Sequence, residues 1–335
     1  MRAALLALAC GGCFAPRYPE GLACATGSEP CPPGQTCGSD GACHSSQFVA
    51  DAQPTDGAPL ADGMPVQWLN ESTGTSDLLG VWGEPGIGVF AVGTMSGTQG
   101  VILQRGSPSW SVTMIAAPLR AIGGSGTTVW AVGTGGRAEQ FAGSAWSART
   151  LGGVDLAGVA FETGVGVVVG KSTTLLTNAS GTFQPVDVSA IGTVNLAAVT
   201  VEASGLSFAA GEQTVIKYDG SASALPPQVL APEHYLSVWA AGPELYAGTN
   251  TNLWRYNGTV WMPVLEGTGC SGLDGDSRGA VWCATDRGVF RGSSATAFVL
   301  DATSPQVPFS AIHVVGNDVY AVGAGGAIWH RTSLD

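Results

Sequence analysis

The residues able to do covalent or coordination chemistry in this 335-residue chain are few, and their spacing sorts them. Of eight cysteines, four fall in the run Cys24, Cys31, Cys37 and Cys43, with six, five and five residues between them. A segment this small cannot bury a core, so disulfides are its route to order. A zinc ribbon would want close pairs of the C-x2-C kind, and this run has none. Three pairings are open; Cys24 with Cys37 and Cys31 with Cys43 is the one we favour. Cys270 and Cys283 are expected to meet on adjacent strands as a further disulfide. The four histidines, His44, His234, His313 and His330, lie in separate segments with no ligand spacing between them, so no metal or other cofactor is expected. Asp274-Gly-Asp276-Ser-Arg278-Gly279 begins like a calcium loop. It has Arg278 at the fifth place and Thr285 at the twelfth, where a ligand is needed, so it reads as a turn. No G-x-S-x-G, H-E-x-x-H or phosphate loop occurs. The carboxylates Glu139, Glu162, Glu202 and Glu212 cannot be paired from sequence, although two of them could meet as an acid/base pair.

Composition narrows the partners. Fifty glycines, 45% apolar and 11% charged residues suit short strands joined by tight turns. The net charge is −12, Lys171 and Lys217 are the only lysines, and no basic cluster is present. Nucleic acid and anionic membrane surfaces are therefore not expected as partners.

Residues 1–13 open with Arg2, an apolar run to Ala9, and Cys10-Gly-Gly-Cys13, too short to span a bilayer. The segment resembles a bacterial lipoprotein signal, which implies lipidation of a cysteine just after cleavage. If that residue is Cys13, Cys10 leaves with the signal and an even number of cysteines remains in the module. An ordinary cleaved signal without lipid is the alternative. Residues 14–48 then form the stapled module, and 49–64, rich in Ala, Asp, Pro and Gly, form a tether.

From residue 65 to 335 one pattern recurs seven times, with units opening at Leu79, Leu119, Leu156, Leu196, Leu236, Cys270 and Phe309. Units of this length, with short apolar runs bounded by glycine and no helical stripe, predict four-stranded blades. The second strand carries Phe90, Trp130, Val167, Phe208, Tyr246, Trp282 and Tyr320, each followed by a residue such as Ala91 or Ala321. Large rings wedge between sheets where they diverge and small side chains sit where they converge, so this ladder is read as packing. The fourth strand is marked by Trp110, Trp146, Phe183, Trp261 and Phe298. Unit four has Ala224-Leu-Pro-Pro there, which predicts a short outer strand. Unit seven ends without a fourth strand, and Trp68 carries the missing aromatic. Residues 65–71 are therefore expected to complete the last blade. The fold class is all-β: a seven-bladed β-propeller closed by an N-terminal strand and preceded by a small disulfide-rich module.

Leu245-Tyr-Ala-Gly-Thr-Asn-Thr-Asn-Leu-Trp-Arg-Tyr256 and Asp276-Ser-Arg-Gly-Ala-Val-Trp-Cys-Ala-Thr-Asp-Arg-Gly-Val-Phe-Arg291 resemble the repeats of two-component-regulator propellers. The Ala-Val-Gly units resemble kelch or BNR-type propellers. The resemblance implies a propeller and transfers no activity. Ligands of such proteins usually sit over the channel near the loops after strands two and four, where Arg137, Lys171, Glu212, Asn250, Asp286 and Arg287 are the candidate binding residues. Scattered turn residues are the competing reading of that set. The chain is expected to be a monomeric, lipid-anchored binding or scaffolding protein of the bacterial envelope, on the outer membrane or cell surface, or periplasmic or extracellular. Its partner is expected to be a protein or a carbohydrate. A glycosidase or lyase with its site over the channel is the alternative, and a sensory ectodomain a third.

Overall fold

The computed structural model describes residues 22–23, 31, 35–37, 42–45, 67–74, 76–106, 109–226 and 233–332. The chain divides into two compact units, Met1–Met64 and Pro65–Asp335. The first holds a three-stranded sheet of Leu22–Ala23, Ala42–Ser45 and Gln35–Cys37, in that spatial order. Cys13, expected to be lipidated, the expected tether, and Cys24 of the expected Cys24–Cys37 pair lie outside the described residues. Cys31 is disulfide-bonded.

The second unit is a seven-bladed β-propeller of four-stranded antiparallel sheets. Blades 1 to 6 open with the strands Asp77–Glu84, Leu119–Ser125, Leu156–Glu162, Leu196–Val201, Tyr235–Ala241 and Gly272–Gly275. Blade 7 takes Ala311–Val315, Asp318–Gly323 and Ala327–Arg331 from the end of the chain and its outer strand, Trp68–Asn70, from the beginning. Trp68 pairs with Arg331, Leu69 with His330 and Asn70 with Trp329, so the expected clasp is present. Two further bonds, Glu71 N to Ile328 O at 2.8 Å and Thr73 N to Gly326 O at 2.9 Å, extend it. Blade 4 ends in the three-residue strand Ala222–Ala224, short as expected, though the outer strands of blades 3 and 6 have only two residues each.

The second-strand ladder is core: Phe90, Tyr246, Trp282 and Tyr320 are fully covered, and so are Ala91, Ala131, Ala247 and Ala321 beside them. The opening row of strand one needs a correction. The buried residues that occupy it are Leu78, Leu119, Leu156, Leu196, Tyr235, Cys270 and Phe309, not Leu79 and Leu236 in blades 1 and 5. A β-bulge explains the slip. Register breaks between Leu78 and Gly80, Leu156 and Gly158, Leu196 and Ala198, and Tyr235 and Ser237, so one extra residue follows the opener. The bulge also accounts for the glycine of the Ala-Val-Gly motif. A Cβ on Gly93 would lie 1.9 Å from Asp77 O, and one on Gly133 2.0 Å from Pro118 O.

Candidate functional site

Strand one of every blade lines the central channel, so its residues form rings around the axis. After the bulge comes a small-residue ring, Gly80, Ala121, Gly158, Ala198, Ser237, Gly272 and Ala311, where neighbouring strands approach closely. A Cβ on Gly272 would meet the Ala311 Cα at 2.8 Å. The next ring is Val81, Ile122, Val159, Val199, Val238, Leu273 and Ile312. All seven line both a cavity of about 990 Å³ on the side of the strand-one-to-two turns and one of about 170 Å³ on the other side. The aliphatic ring is thus a collar that divides the channel.

The wide cavity continues through Trp82, Thr200, Trp239, Asp274 and His313 to a rim of Phe161, Glu84, Glu162, Glu202 and Asp276. The blades diverge here, and the tryptophans fill the spreading gaps. The Trp82 ring lies against Gly124 of blade 2, and a Cβ on Gly275 of blade 6 would collide with Trp239 of blade 5. His313 of blade 7 binds across two interfaces: Nδ1 is 2.7 Å from Asp274 Oδ2 of blade 6, and Nε2 is 3.0 Å from Gly83 O of blade 1. Burial acts to lower the His313 pKa, but Asp274 and the Gly83 carbonyl outweigh it and hold it above the usual histidine range. With both nitrogens facing acceptors, the imidazolium fits best, and this arrangement leaves no lone pair for a general base. Asp276 Oδ1 accepts from Arg278 N at 2.9 Å and Ala280 N at 3.0 Å, which makes the Asp274–Gly279 segment a capped turn. Burial raises the Glu202 carboxyl above its ordinary value, only partly offset by a long bond from Ser204 Oγ. Among the described residues no group of three or more His, Cys, Asp or Glu side chains is placed to hold a metal ion.

The six residues expected over the channel lie on the other face, and two of them converge. Lys171 and Glu212 line a cavity of about 210 Å³ with Arg120, Asp155, Asn195 and His234. Lys171 Nζ is 2.8 Å from Asp155 Oδ2, and Asn195 Nδ2 donates to Glu212 Oε1 at 2.8 Å. The Asn195 hydrogen bonds hold Glu212 below the usual carboxylate range. Arg137 turns instead to the buried Glu139 two residues on, with Nε 2.7 Å from Oε1. Asn250, Asp286 and Arg287 are exposed turn residues outside this cavity. Cys270 and Cys283 form the expected disulfide, with Cα atoms 5.7 Å apart. Sequence reasoning missed the Asp274–His313 pair. The available signal was their common place in neighbouring repeats, each directly following a collar residue.

The fold defines this unit as a seven-bladed β-propeller. No family model matches the chain, and no curated protein matches it in sequence. Solved propellers do resemble it. The extracellular domain of the two component system BT4673 from B. thetaiotaomicron aligns with a TM-score of 0.64 at 12% identity, over 79% of this chain and 39% of that one. YCF48 from Cyanidioschyzon merolae aligns with a TM-score of 0.63 at 15% identity, over 79% of this chain and 99% of that one. YCF48 bound to D1 peptide gives 0.62 at 15%, over 82% and 98%. This chain therefore spans about two fifths of the first of these. At such identities the likeness concerns the fold. Among the described residues no helix is long and apolar enough to cross a membrane.

Proposed function

We propose that this chain is exported, anchored through a lipid on Cys13, and binds a ligand at the bacterial cell envelope through the wide cavity. In this reading 1–13 is the signal, 14–48 a stapled module, 49–64 a tether and 65–335 the binding unit. The observation that carries the binding role is the cavity itself. At about 990 Å³ it reaches the upper size of small-ligand pockets and combines an apolar floor with a few polar rim groups. One structural neighbour is an extracellular domain and another is a propeller with a peptide bound, which supports the role by analogy. The disulfides at Cys31 and Cys270–Cys283 support an oxidising compartment.

The test is thermal unfolding of the mature chain against peptides, oligosaccharides and peptidoglycan fragments. A ligand at 100 times its Kd should add about 2.7 kcal/mol. Trp239→Ala, which opens the cavity wall, should remove that shift; a shift that survives places the ligand elsewhere. Cys13→Ser should abolish metabolic labelling with a fatty acid. Labelling that persists overturns the anchor assignment.

A second reading has its own observation. Glu162 and Glu202 sit on neighbouring blades in one cavity, and burial raises Glu202, the pattern of an acid paired with a second carboxylate in glycoside hydrolysis. It requires release of reducing ends from an oligosaccharide of the panel, lost in Glu202→Gln. No release from any of them sets it aside.

A further inference from the structure

The lining of the wide cavity carries an excess of carboxylates above an apolar floor, with His313, already bound to Asp274, as its one cation among the described residues. Among the described residues five carboxylates line it, those of Glu84, Glu162, Glu202, Asp274 and Asp276, and no lysine or arginine does. Three of them are already committed. Asp276 caps its own turn, Asp274 faces His313, and Glu84 Oε2 accepts from Gly126 N at 2.8 Å. Glu162 has no side-chain hydrogen bond among the described residues. Glu202 has only the 3.4 Å contact with Ser204, and its Oε1 is covered without a donor. A carboxylate oxygen withdrawn from water without a donor is costly, and a charged donor is the partner that relieves it best. The one cation of the adjoining turn, Arg278, is exposed and outside the lining. Trp82, Phe161 and Trp239 line the same cavity, and the collar forms its floor.

Resting on the binding reading above, we infer that the cavity takes a cation carried on an apolar stem, an ammonium or guanidinium held by Glu162 and Glu202 with its stem against the rings and the collar. Each half of the site selects one half of such a ligand. The acidic, low-dielectric rim attracts cations and repels anions. Aromatic walls add cation–π attraction and accept methylenes. A hydrated metal ion would have no use for the collar, and a purely apolar ligand would strand both carboxylates. The same chemistry comes from a lysine or arginine side chain of a peptide and from a free polyamine.

The test is a titration of the full chain, followed by tryptophan fluorescence and calorimetry. The probes are spermidine, a blocked five-residue peptide with lysine between two phenylalanines, and the same peptide with norleucine for lysine. The lysine peptide or spermidine should bind, and the norleucine peptide should bind at least about tenfold more weakly. Glu162→Gln and Glu202→Gln, which keep the side-chain shape, should each cost the cationic probes about tenfold while leaving the unfolding midpoint in place. Preference for the peptide over spermidine names a protein source, and the reverse names a polyamine. Equal binding of the norleucine peptide, indifference to both Gln variants, or no binding of either cationic probe overturns the cation class. The cavity reading then still stands if a neutral ligand's response is lost in Trp239→Ala. It falls separately if Trp239→Ala leaves every response intact.

Discussion

Blades 6, 7 and 1 are joined differently from blades 2 to 4. Around the closure, side chains reach across blades with charge. Glu71, just after the closing strand, takes Arg105 Nη2 at 2.7 Å and Trp110 Nε1 at 2.9 Å from blade 1, and lies 3.1 Å from His330 Nδ1 of blade 7. On the other side, Trp68 Nε1 donates to Asp301 Oδ2 of blade 6 at 3.2 Å, and Arg331 shares that carboxylate while lying over the Trp282 ring. His313 spans blades 6 and 1. In blades 2 to 4 the ion pairs among the described residues stay within one blade, as in Arg137–Glu139, Lys171–Asp155 and Lys217–Asp219. Ties between those blades are turn contacts such as Gly135 N to Asp155 Oδ1 and Ser172 N to Asn195 Oδ1. The difference follows the chain. Blades 1 to 6 each arise from one continuous hairpin series, whereas the third and fourth strands of blade 7 are joined only by non-covalent bonds. A strand that would otherwise dissociate as a free end needs partners on both flanks.

The largest effect should come from breaking that flank directly. Trp68→Ala removes a buried ring stacked on Phe309 and one of the donors to Asp301, and should cost about 3–5 kcal/mol in urea unfolding. Phe183→Ala, at the equivalent outer position of blade 3, removes a half-buried ring and should cost less than about 2 kcal/mol. Equal losses would sink the idea that the closure is the more vulnerable joint. Replacing both Cys270 and Cys283 with alanine opens a cross-link spanning 13 residues in blade 6, and should lower stability by about 3 kcal/mol. The same loss on adding reductant to the parent chain would assign it to the bond rather than to the cavity left behind. Next comes Glu71→Gln. Burial pushes the Glu71 carboxyl upward, but the Arg105 and Trp110 hydrogen bonds outweigh it and hold it below its ordinary value. Removing its charge should cost about 1–3 kcal/mol near neutral pH. Because the Glu71 pKa is lowered on folding, that difference should shrink as acid protonates the parent carboxylate. A pH-independent difference would show that the ion pair is not its source.

How legible each region was follows from how local its determinants are. The blade count, the closing strand and the weak outer strand of blade 4 rest on Trp68, the Ala224-Leu-Pro-Pro run and short-range alternation, all visible in one unit at a time. The bulge was not visible, because an extra residue after Leu78 or Tyr235 leaves the next residue, Leu79 or Leu236, just as apolar. The channel was the hardest to read. The six polar turn residues were singled out for their chemistry against an uncharged background, yet Arg137 is satisfied by Glu139 and only Lys171 and Glu212 share a recess. The wide cavity is instead built by ring positions, one residue per blade. Glu162 and Glu202 stood out as lone carboxylates without any local sign that they face one space. Asp274 and His313 are 39 positions apart and become neighbours only once blades 6 and 7 are laid side by side.

The smallest expected effect sharpens the comparison most, since it shows as a slope rather than a loss. His313 ties blade 7 to both neighbours through a charge that blades 2 to 4 do not use. Its ordinary pKa of 6.5 applies to the unfolded chain, and the folded value is higher because Asp274 and Gly83 O favour the imidazolium over the opposing effect of burial. A group that binds its proton more tightly when folded adds stability that is complete below the unfolded pKa and is lost as pH rises through the folded one. Stability should therefore decline from about pH 6.5 upward. In His313→Gln, which keeps a donor for the Asp274 carboxylate without a titrating charge, that decline should flatten. Urea midpoints measured at intervals from pH 5.5 to about 9 decide the matter, because carboxylates of ordinary pKa titrate below that window and cancel between parent and variant. An unchanged slope in His313→Gln would mean that the proton is not held at this junction, and that the bridge across blades 6, 7 and 1 is a neutral hydrogen bond like the turn contacts of blades 2 to 4.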